Sequence, residues 1–458
     1  MFNKEGSTLE KYEFDLKSRS PWTSLQGVKT ISVSPSKRKL DGSITIPGSK
    51  SLTNRALIIS SLANGKSKLA GILKSDDSYW CIDTLKKLGV NVEIQGETAY
   101  VKGNNGRWES RNLYIGAAGT IARFLPGSLA VSGEGAWKIE ASRTMSKRPV
   151  SPLVDALVEL GAEITYLKSK GYYPLSVKGK ELLGGEVSLS GNTSSQYISG
   201  LLIAAPYFKE SISINIKDHI VQHSYVLLTL ELMEKFGAKV QYDNNLKKIV
   251  VSPSRYRSQD VSLEADVSTA CYFLALAAVT NGKIRINNLT YETKQPDIKM
   301  VDVFEQMGWK ITKGTSFIEL EGVDQLRGGF EISMREMSDQ ALTLAVIAPF
   351  ADGPITIKDV EHIRYHESNR ISVISKSLST LGITVEEFKD GIKVYPGKPK
   401  PTLLNTHDDH RVAMSLALIG SKVEGIKLND PGCVSKTCPQ YFALLKSLGL
   451  NIIQDEID

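Results

Sequence analysis

The chain has 458 residues, 41% apolar and 23% charged, with a formal net charge of +6. That length exceeds one ordinary hydrophobic core and predicts two domains or more, while no apolar run approaches the roughly 18 residues of a membrane span. The mild positive charge, without clustered basic runs, argues poorly for a nucleic-acid binder and weakly for a small anionic ligand.

Residues 1–30 are polar, of mixed charge and without the apolar stretch of a secretory signal, so they read as an N-terminal extension. The first informative stretch is "IPGSKSLTNRAL", residues 46–57, where a Pro-Gly turn leads into an apolar helix opening on Lys50, Ser51 and Arg55. A helix N-terminus is already positive and ordinarily recruits Asp or Glu. Cations there predict an anion from elsewhere. Next comes "CIDTLKKLGVNVEI", a helix that ends at Leu-Gly and runs into a strand at Gly89.

These two phrases then alternate down the chain. The helix-ending glycine recurs at Gly161, Gly237, Gly308, Gly382 and Gly449, at intervals of about 67 to 76 residues, and suits a left-handed C-cap. The apolar helix with a polar opening recurs as "AAGTIARFLPGSLA" (Gly119, Thr120, Arg123), followed by the basic run "SRTMSKRP". Further copies are "NTSSQYISGLLIAA" (Ser194, Ser195, Gln196), "DVSTACYFLALAAV", "SDQALTLAV" (Asp339) and "DHRVAMSLAL" (Asp409, His410, Arg411). Two connections add "RYHESNR", with Arg364, His366, Glu367 and Arg370, and "VSKT", with Lys436. Helices apolar nearly all round are buried, so six buried helices bring six polar openings toward one place. Cations in excess of carboxylates suit more than one anionic group, with an acid or base in reach.

Other readings have less support. The pairs His219/His223, His362/His366 and His407/His410 have HxxxH or shorter spacing, but none carries the HExxH glutamate and two lie beside arginines, so no metal is expected. GxGxxG and GxxxxGK[ST] are absent, which removes the common nucleotide loops. Cys81, Cys271, Cys433 and Cys438 form no CxxC pair and read as reduced thiols of a cytoplasmic protein.

With "PGSKSLTNRAL", "GAAGTIARFLP", "KRPVSPLVDAL", "SSQYISGLL", "MSDQALTLA", "RYHESNR", "DHRVAMSLAL" and "SKTCPQYF" in this order, the chain resembles the enolpyruvyl transferase family from about residue 38 onward. The resemblance implies an α/β fold, a two-domain inside-out α/β barrel of six βαβαββ repeats, three per domain. It implies one domain at 49–265, the other at 31–48 plus 266–458, and an active site in the cleft between them. It also implies transfer of the enolpyruvyl group of phosphoenolpyruvate to the 5-hydroxyl of shikimate 3-phosphate, with no metal or other cofactor, in a cytoplasmic monomer. Position by position, Lys50, Gly119, Arg123, Arg370, Arg411 and Lys436 would hold phosphoenolpyruvate. Ser51, Arg55, Ser194, Ser195, Gln196, Gln222, Asp339, His362 and His366 would hold shikimate 3-phosphate. Asp339 and Glu367 would move protons, with Lys50 assisting. The herbicide glyphosate would occupy the phosphoenolpyruvate site against Gly119.

The chain departs from the commonest family pattern at Ala117 for Asn, Phe124 for Pro, Gln222 for Ser and Asn369 for Asp, and at His362 and His366 for Asn and Lys. Thr144 stands where an arginine for phosphoenolpyruvate often sits, with Arg143, Lys147 and Arg148 close by. These changes keep a second reading open, a family member acting on a UDP-sugar or a specialised cyclitol. "ASRTMSKRP" lacks the cysteine that the UDP-sugar enzymes carry there. A third reading is a non-catalytic binding protein on the same scaffold. Cations facing one another across a cleft also predict that the free protein stands open.

Overall fold

The computed structural model describes residues 15–456; residues 1–14 of the extension lie outside them. The helices are α1 (Lys50–Leu62), α2 (Asp76–Lys87), α3 (Ile121–Ala130), α4 (Ser151–Glu159), α5 (Ser195–Ala204) and α6 (Ser224–Lys235). They continue as α7 (Val267–Val279), α8 (Met300–Gln306), α9 (Ala341–Ile347), α10 (Arg370–Thr380), α11 (His410–Gly420) and α12 (Tyr441–Ser447). The odd-numbered helices are the apolar phrases of the sequence, and every residue of α3, α7, α9 and α11 is buried. The even-numbered helices bury one face and end at the recurring glycine.

All six of those glycines are left-handed, with φ between +83° and +105°. In each case the N–H beyond the glycine returns to a carbonyl five residues back, as from Val90 to Leu85 at 3.0 Å and from Ala162 to Leu157 at 2.9 Å. This closes the helix end and aims the next strand back along the sheet. At Gly161 (φ +92°) a Cβ would meet nothing within 4 Å, so only backbone conformation demands glycine. Gly161→Ala should therefore cost about 1 kcal/mol, read as a lower urea midpoint; an unchanged midpoint would remove the cap from this account.

Six four-stranded sheets follow one pattern. In the second repeat, strand Asn112–Tyr114 lies parallel to Gly135–Glu140, which pairs antiparallel with Leu175–Gly179, and that strand pairs antiparallel with Glu163–Tyr166. Each sheet is open, and none closes into a barrel. Two repeats take their first strand from elsewhere in the chain. Asp41–Ile44 joins the sheet of Lys283–Ile286, and Asp260–Ser262 joins that of Asn64–Ala70. Val28–Ser34 completes the last sheet, between Ile426–Asn429 and Asn451–Glu456.

The buried apolar residues form two clusters, one between residues 56 and 256, the other from residues 31–46 and 265–452. The chain passes between these halves just before α1 and just before α7, and the two passages are bonded to each other. Gly48 bridges Ala265, Ser49 N–H donates to Glu264 O at 2.9 Å, and Asp266 N–H donates to Pro47 O at 2.9 Å. Gly48 is needed for this close approach, since a Cβ there would fall 1.9 Å from Gly71 O. The Asp266 carboxylate then caps two helices, accepting from Lys50 N–H at 3.1 Å and Thr269 N–H at 2.8 Å.

Candidate active site

The openings of α1, α5, α10 and α11, with the turn before α9, meet in one cavity between the halves. It is lined by Lys50, Ser51, Arg55, Arg148, Ser194, Ser195, Gln196, Gln222, Tyr225, Asp339, His366, Glu367, Arg370, His410 and Arg411 among others. A second, smaller cavity adjoins it through Arg148 and Glu367 and is lined by Lys436, Asp77, Ala117 and Thr144 among others.

Arg370, the first residue of α10, is the hub. Its Nε and Nη2 donate to the two oxygens of buried Asp409 at 2.8 and 3.1 Å, while Nη2 also reaches Glu367 Oε2 at 2.8 Å. Its Nη1 donates to Asp339 Oδ1 at 3.1 Å and lies 3.1 Å from His366 Nδ1. Arg411 holds the other oxygen of Asp339 at 2.9 Å, and Arg148 reaches Glu367 Oε1 at 3.2 Å from the opposite half. Lys436 Nζ donates to Ala117 O at 2.7 Å and lies 3.4 Å from Glu367 and 3.8 Å from Asp77. Such forked guanidinium–carboxylate pairs fix both partners in orientation as well as charge.

Two of these carboxylates, Glu367 and Asp339, are thereby held ionised. Burial pushes Glu367 and Asp339 upward, but neighbouring cations outweigh it: Arg148, Lys436 and Arg370 for Glu367, and Arg411 and Arg370 for Asp339. Both end well below the ordinary carboxylate range. Lys50 is lowered as well, which for an ammonium disfavours the charged form. Burial, with Arg411 and Lys436 adding to it, lowers its ammonium, against the opposing pull of Asp77 and Glu367.

Arg55 is different in kind. It is fully buried and donates only to neutral oxygens, at Thr229 (2.7 Å), Ser51 O (3.1 Å) and Ser199 (3.3 Å), with its guanidinium 5.1 Å from the Phe124 ring. With no carboxylate partner among the described residues, it is pushed down by burial to about 10. In the same cavity, Gln222 sits at φ +51° with its buried Nε2 unpartnered. An unneutralised cation sharing a cavity with an unused donor is a cradle for an anion. A phosphate bonded to that amide would gain about 1 kcal/mol. Gln222→Ala is expected to weaken the binding of a phosphate-bearing ligand about fivefold; an unchanged affinity would remove Gln222 from the cradle.

Three expected site residues lie elsewhere. Arg123 lines neither cavity; its guanidinium donates to Gly119 O (3.2 Å) and Pro149 O (2.9 Å) and contacts Met145 Sδ at 3.3 Å. It braces the turn that presents Arg148. Gly119 is also set back, but a Cβ on it would lie 2.8 Å from Arg148 Nη1. His362 bonds Ser338 Oγ at 2.8 Å and faces an outer crevice with Thr193 and His219, kept neutral by burial, which lowers it to about 4.

The departures have local reasons. Asn369 caps α10 by accepting from Ser372 N–H at 3.3 Å, a task Asn and Asp share. Ala117 contributes its carbonyl to Lys436, so its side chain is not the contact. Thr144 is occupied by Asp15, and Arg148, four residues on, supplies the cation. The halves are in contact rather than apart, through Arg148–Glu367, Lys436–Ala117, Lys294–Glu231 (3.0 Å) and His223–Glu336. The cleft expected to stand open is closed here, with Glu367 and Asp339 placed among the cations. No group of three or more His, Cys, Asp or Glu side chains suited to a metal ion occurs among the described residues, and no helix among them is long and apolar enough to cross a membrane.

The fold, two halves of three repeats, is similar to that of the solved EPSP synthase of Acinetobacter baumannii (TM-score 0.79, 24% identity, 93% of this chain and 100% of that one). The enolpyruvyl transferase NikO of Streptomyces tendae also shares it (TM-score 0.78, 16% identity, 94% and 100%). Residues 35–445 match the EPSP synthase (3-phosphoshikimate 1-carboxyvinyltransferase) family. The 3-phosphoshikimate 1-carboxyvinyltransferase 2 of Halalkalibacterium halodurans is 66% identical over 441 residues, covering 96% of this chain and 99% of that protein. The corresponding transferase of Trichormus variabilis is 38% identical over 417 residues, covering 90% and 97%. The chain belongs to the EPSP synthase family.

Proposed function

We propose that the chain transfers the enolpyruvyl group of phosphoenolpyruvate to the 5-hydroxyl of shikimate 3-phosphate and releases phosphate. One observation carries this reading: a single guanidinium, Arg370, holds Asp339, Glu367 and Asp409 together in a cavity that also receives Lys50, Arg55, Arg148 and Arg411. Addition of a hydroxyl to an enol phosphate needs a proton delivered to C3 and a proton removed from the hydroxyl; the tetrahedral adduct then loses phosphate as a C3 proton is taken back, and cations are needed throughout for two multiply charged anions.

Asp339, ionised between Arg370 and Arg411, is the proton acceptor for the attacking hydroxyl. Glu367 is the donor to C3. It is ionised while Arg148 and Lys436 face it, and the phosphate and carboxylate of phosphoenolpyruvate draw those same cations to themselves. The bound substrate therefore raises the proton affinity of Glu367 where the proton is needed. Lys50, with its lowered ammonium, stands between both carboxylates and the departing phosphate. Ser51, Arg55, Ser194, Ser195, Gln196, Gln222 and His366 form the shikimate 3-phosphate end, and Arg148, Arg370, Arg411 and Lys436 the phosphoenolpyruvate end. The two apolar clusters are the two domains, and the bonded passages at Gly48 and Ala265 are their hinge. Four buried, unpaired thiols suit the reducing cytoplasm, and we take the protein to work there as a monomer.

Incubating the protein with phosphoenolpyruvate and shikimate 3-phosphate should release phosphate continuously. Release with a UDP-sugar or an unphosphorylated cyclitol, and none with shikimate 3-phosphate, would transfer the assignment to the second acceptor class.

A further inference from the structure

The segment just before the first strand lies across the seam between the halves. On one side Asp15 accepts from Thr144 N–H (2.8 Å) and Oγ1 (3.1 Å), Trp80 Nε1 donates to Ser18 O (2.9 Å), and Asp76 accepts from Ser20 and Thr23. On the other side Asp15 N–H donates to Asp408 (3.3 Å), and Ser24 N–H donates to Ser435 Oγ (2.9 Å). Arg19 Nη2 joins Asp408 at 2.7 Å and Asp430 at 2.6 Å. Thr144 opens the turn that ends at Arg148, and Asp430 opens the turn Pro431–Lys436. These two turns, one from each half, deliver the two cations that face Glu367 across the smaller cavity, and Ser18 and Arg19 form part of its wall.

We propose that residues 15–24 are a strap that sets the phosphoenolpyruvate end of the site, with Asp15 and Arg19 as positioning residues for Arg148 and Lys436. The strap touches neither Arg55 nor Gln222, so its effect falls on one substrate. It also takes over the Thr144 position: the side chain that commonly carries an arginine in this family is here an anchor for Asp15. The proposal rests on the assignment of the Arg148–Lys436 end to phosphoenolpyruvate.

The test compares the full chain with Asp15→Ala, Arg19→Gln and Arg19→Lys. Steady-state kinetics and calorimetric titration with each substrate alone and in the presence of the other give the readouts. In Asp15→Ala and Arg19→Gln the KM and Kd for phosphoenolpyruvate should rise at least fivefold, while those for shikimate 3-phosphate stay within twofold. Arg19→Lys should recover at least half of that loss, because an ammonium can still bridge the two carboxylates. A phosphoenolpyruvate affinity within twofold of the parent in both variants overturns the strap, as does an equal weakening of both substrates. Should Arg19→Gln leave its buried acids unpaired and fail to fold, Asp15→Ala alone decides, since it removes one carboxylate from a single turn. Calorimetry keeps this separate from the reaction itself: a parent that binds phosphoenolpyruvate without turning over shikimate 3-phosphate refutes the proposed function and still ranks the variants.

Discussion

Glu367→Gln is expected to lower turnover at least a hundredfold, with the KM for phosphoenolpyruvate changed no more than a few-fold. Glutamine keeps the volume, and its one amide oxygen can still accept from Arg370 or Arg148, which bond different oxygens of Glu367, but it cannot carry the proton that C3 must receive. A positioned acid or base is worth about 10²–10⁴ in rate. Because the group acts only in the transition state, kcat and kcat/KM should fall together. Asp339→Asn should lose as much for a different reason: between Arg370 and Arg411 its amide cannot accept the hydroxyl proton. Phosphate-release kinetics at saturating substrates check both variants, with thermal midpoints near that of the parent confirming intact folding. Turnover within tenfold of the parent in both would remove these carboxylates from the chemistry.

Much of this site was legible in the sequence because local rules carried it. A left-handed helix end needs glycine whatever surrounds it, so the six glycines marked six repeats. An all-apolar helix opening on polar residues must bury its body and present its start, so Lys50, Ser51, Arg55, Ser194, Ser195, Gln196, Asp339 and Arg411 came out as one group. What escaped depends on where a turn points. Arg143, Lys147 and Arg148 lie within six positions, and the turn at 145–147 decides that Arg148 is the one that faces Glu367, while Arg123, on α3, faces backbone carbonyls. Likewise His362 and His366 read as a pair, yet the 3₁₀ turn Glu361–Tyr365 sends one to an outer crevice and the other to Arg370. The contributions of Asp77 and Asp15 rest on partners hundreds of residues away and left no local trace.

Glyphosate should inhibit this enzyme competitively with phosphoenolpyruvate, and Gly119→Ala should weaken that inhibition at least tenfold with a smaller loss of phosphoenolpyruvate affinity. The added Cβ would meet Arg148 Nη1 at 2.8 Å, the far end of a flexible side chain, so the fold survives and the guanidinium gives way. It gives way at a costly place, since Nη1 is the atom bonded to Glu367 at 3.2 Å. Overpacking a close-packed site by one carbon costs roughly 1–3 kcal/mol, about five- to 150-fold in affinity. The longer inhibitor meets that strain more fully than the substrate. The two departures nearby do not reverse this expectation. Thr144 is held by Asp15 and leaves the cation to Arg148, while Phe124 packs beneath Arg55 at the opposite end of the site. Inhibition constants against varied phosphoenolpyruvate, measured for parent and Gly119→Ala, decide the matter. A fully active parent indifferent to millimolar glyphosate, or equal weakening of inhibitor and substrate, would show that Gly119 and Arg148 do not shape the pocket in which both ligands compete.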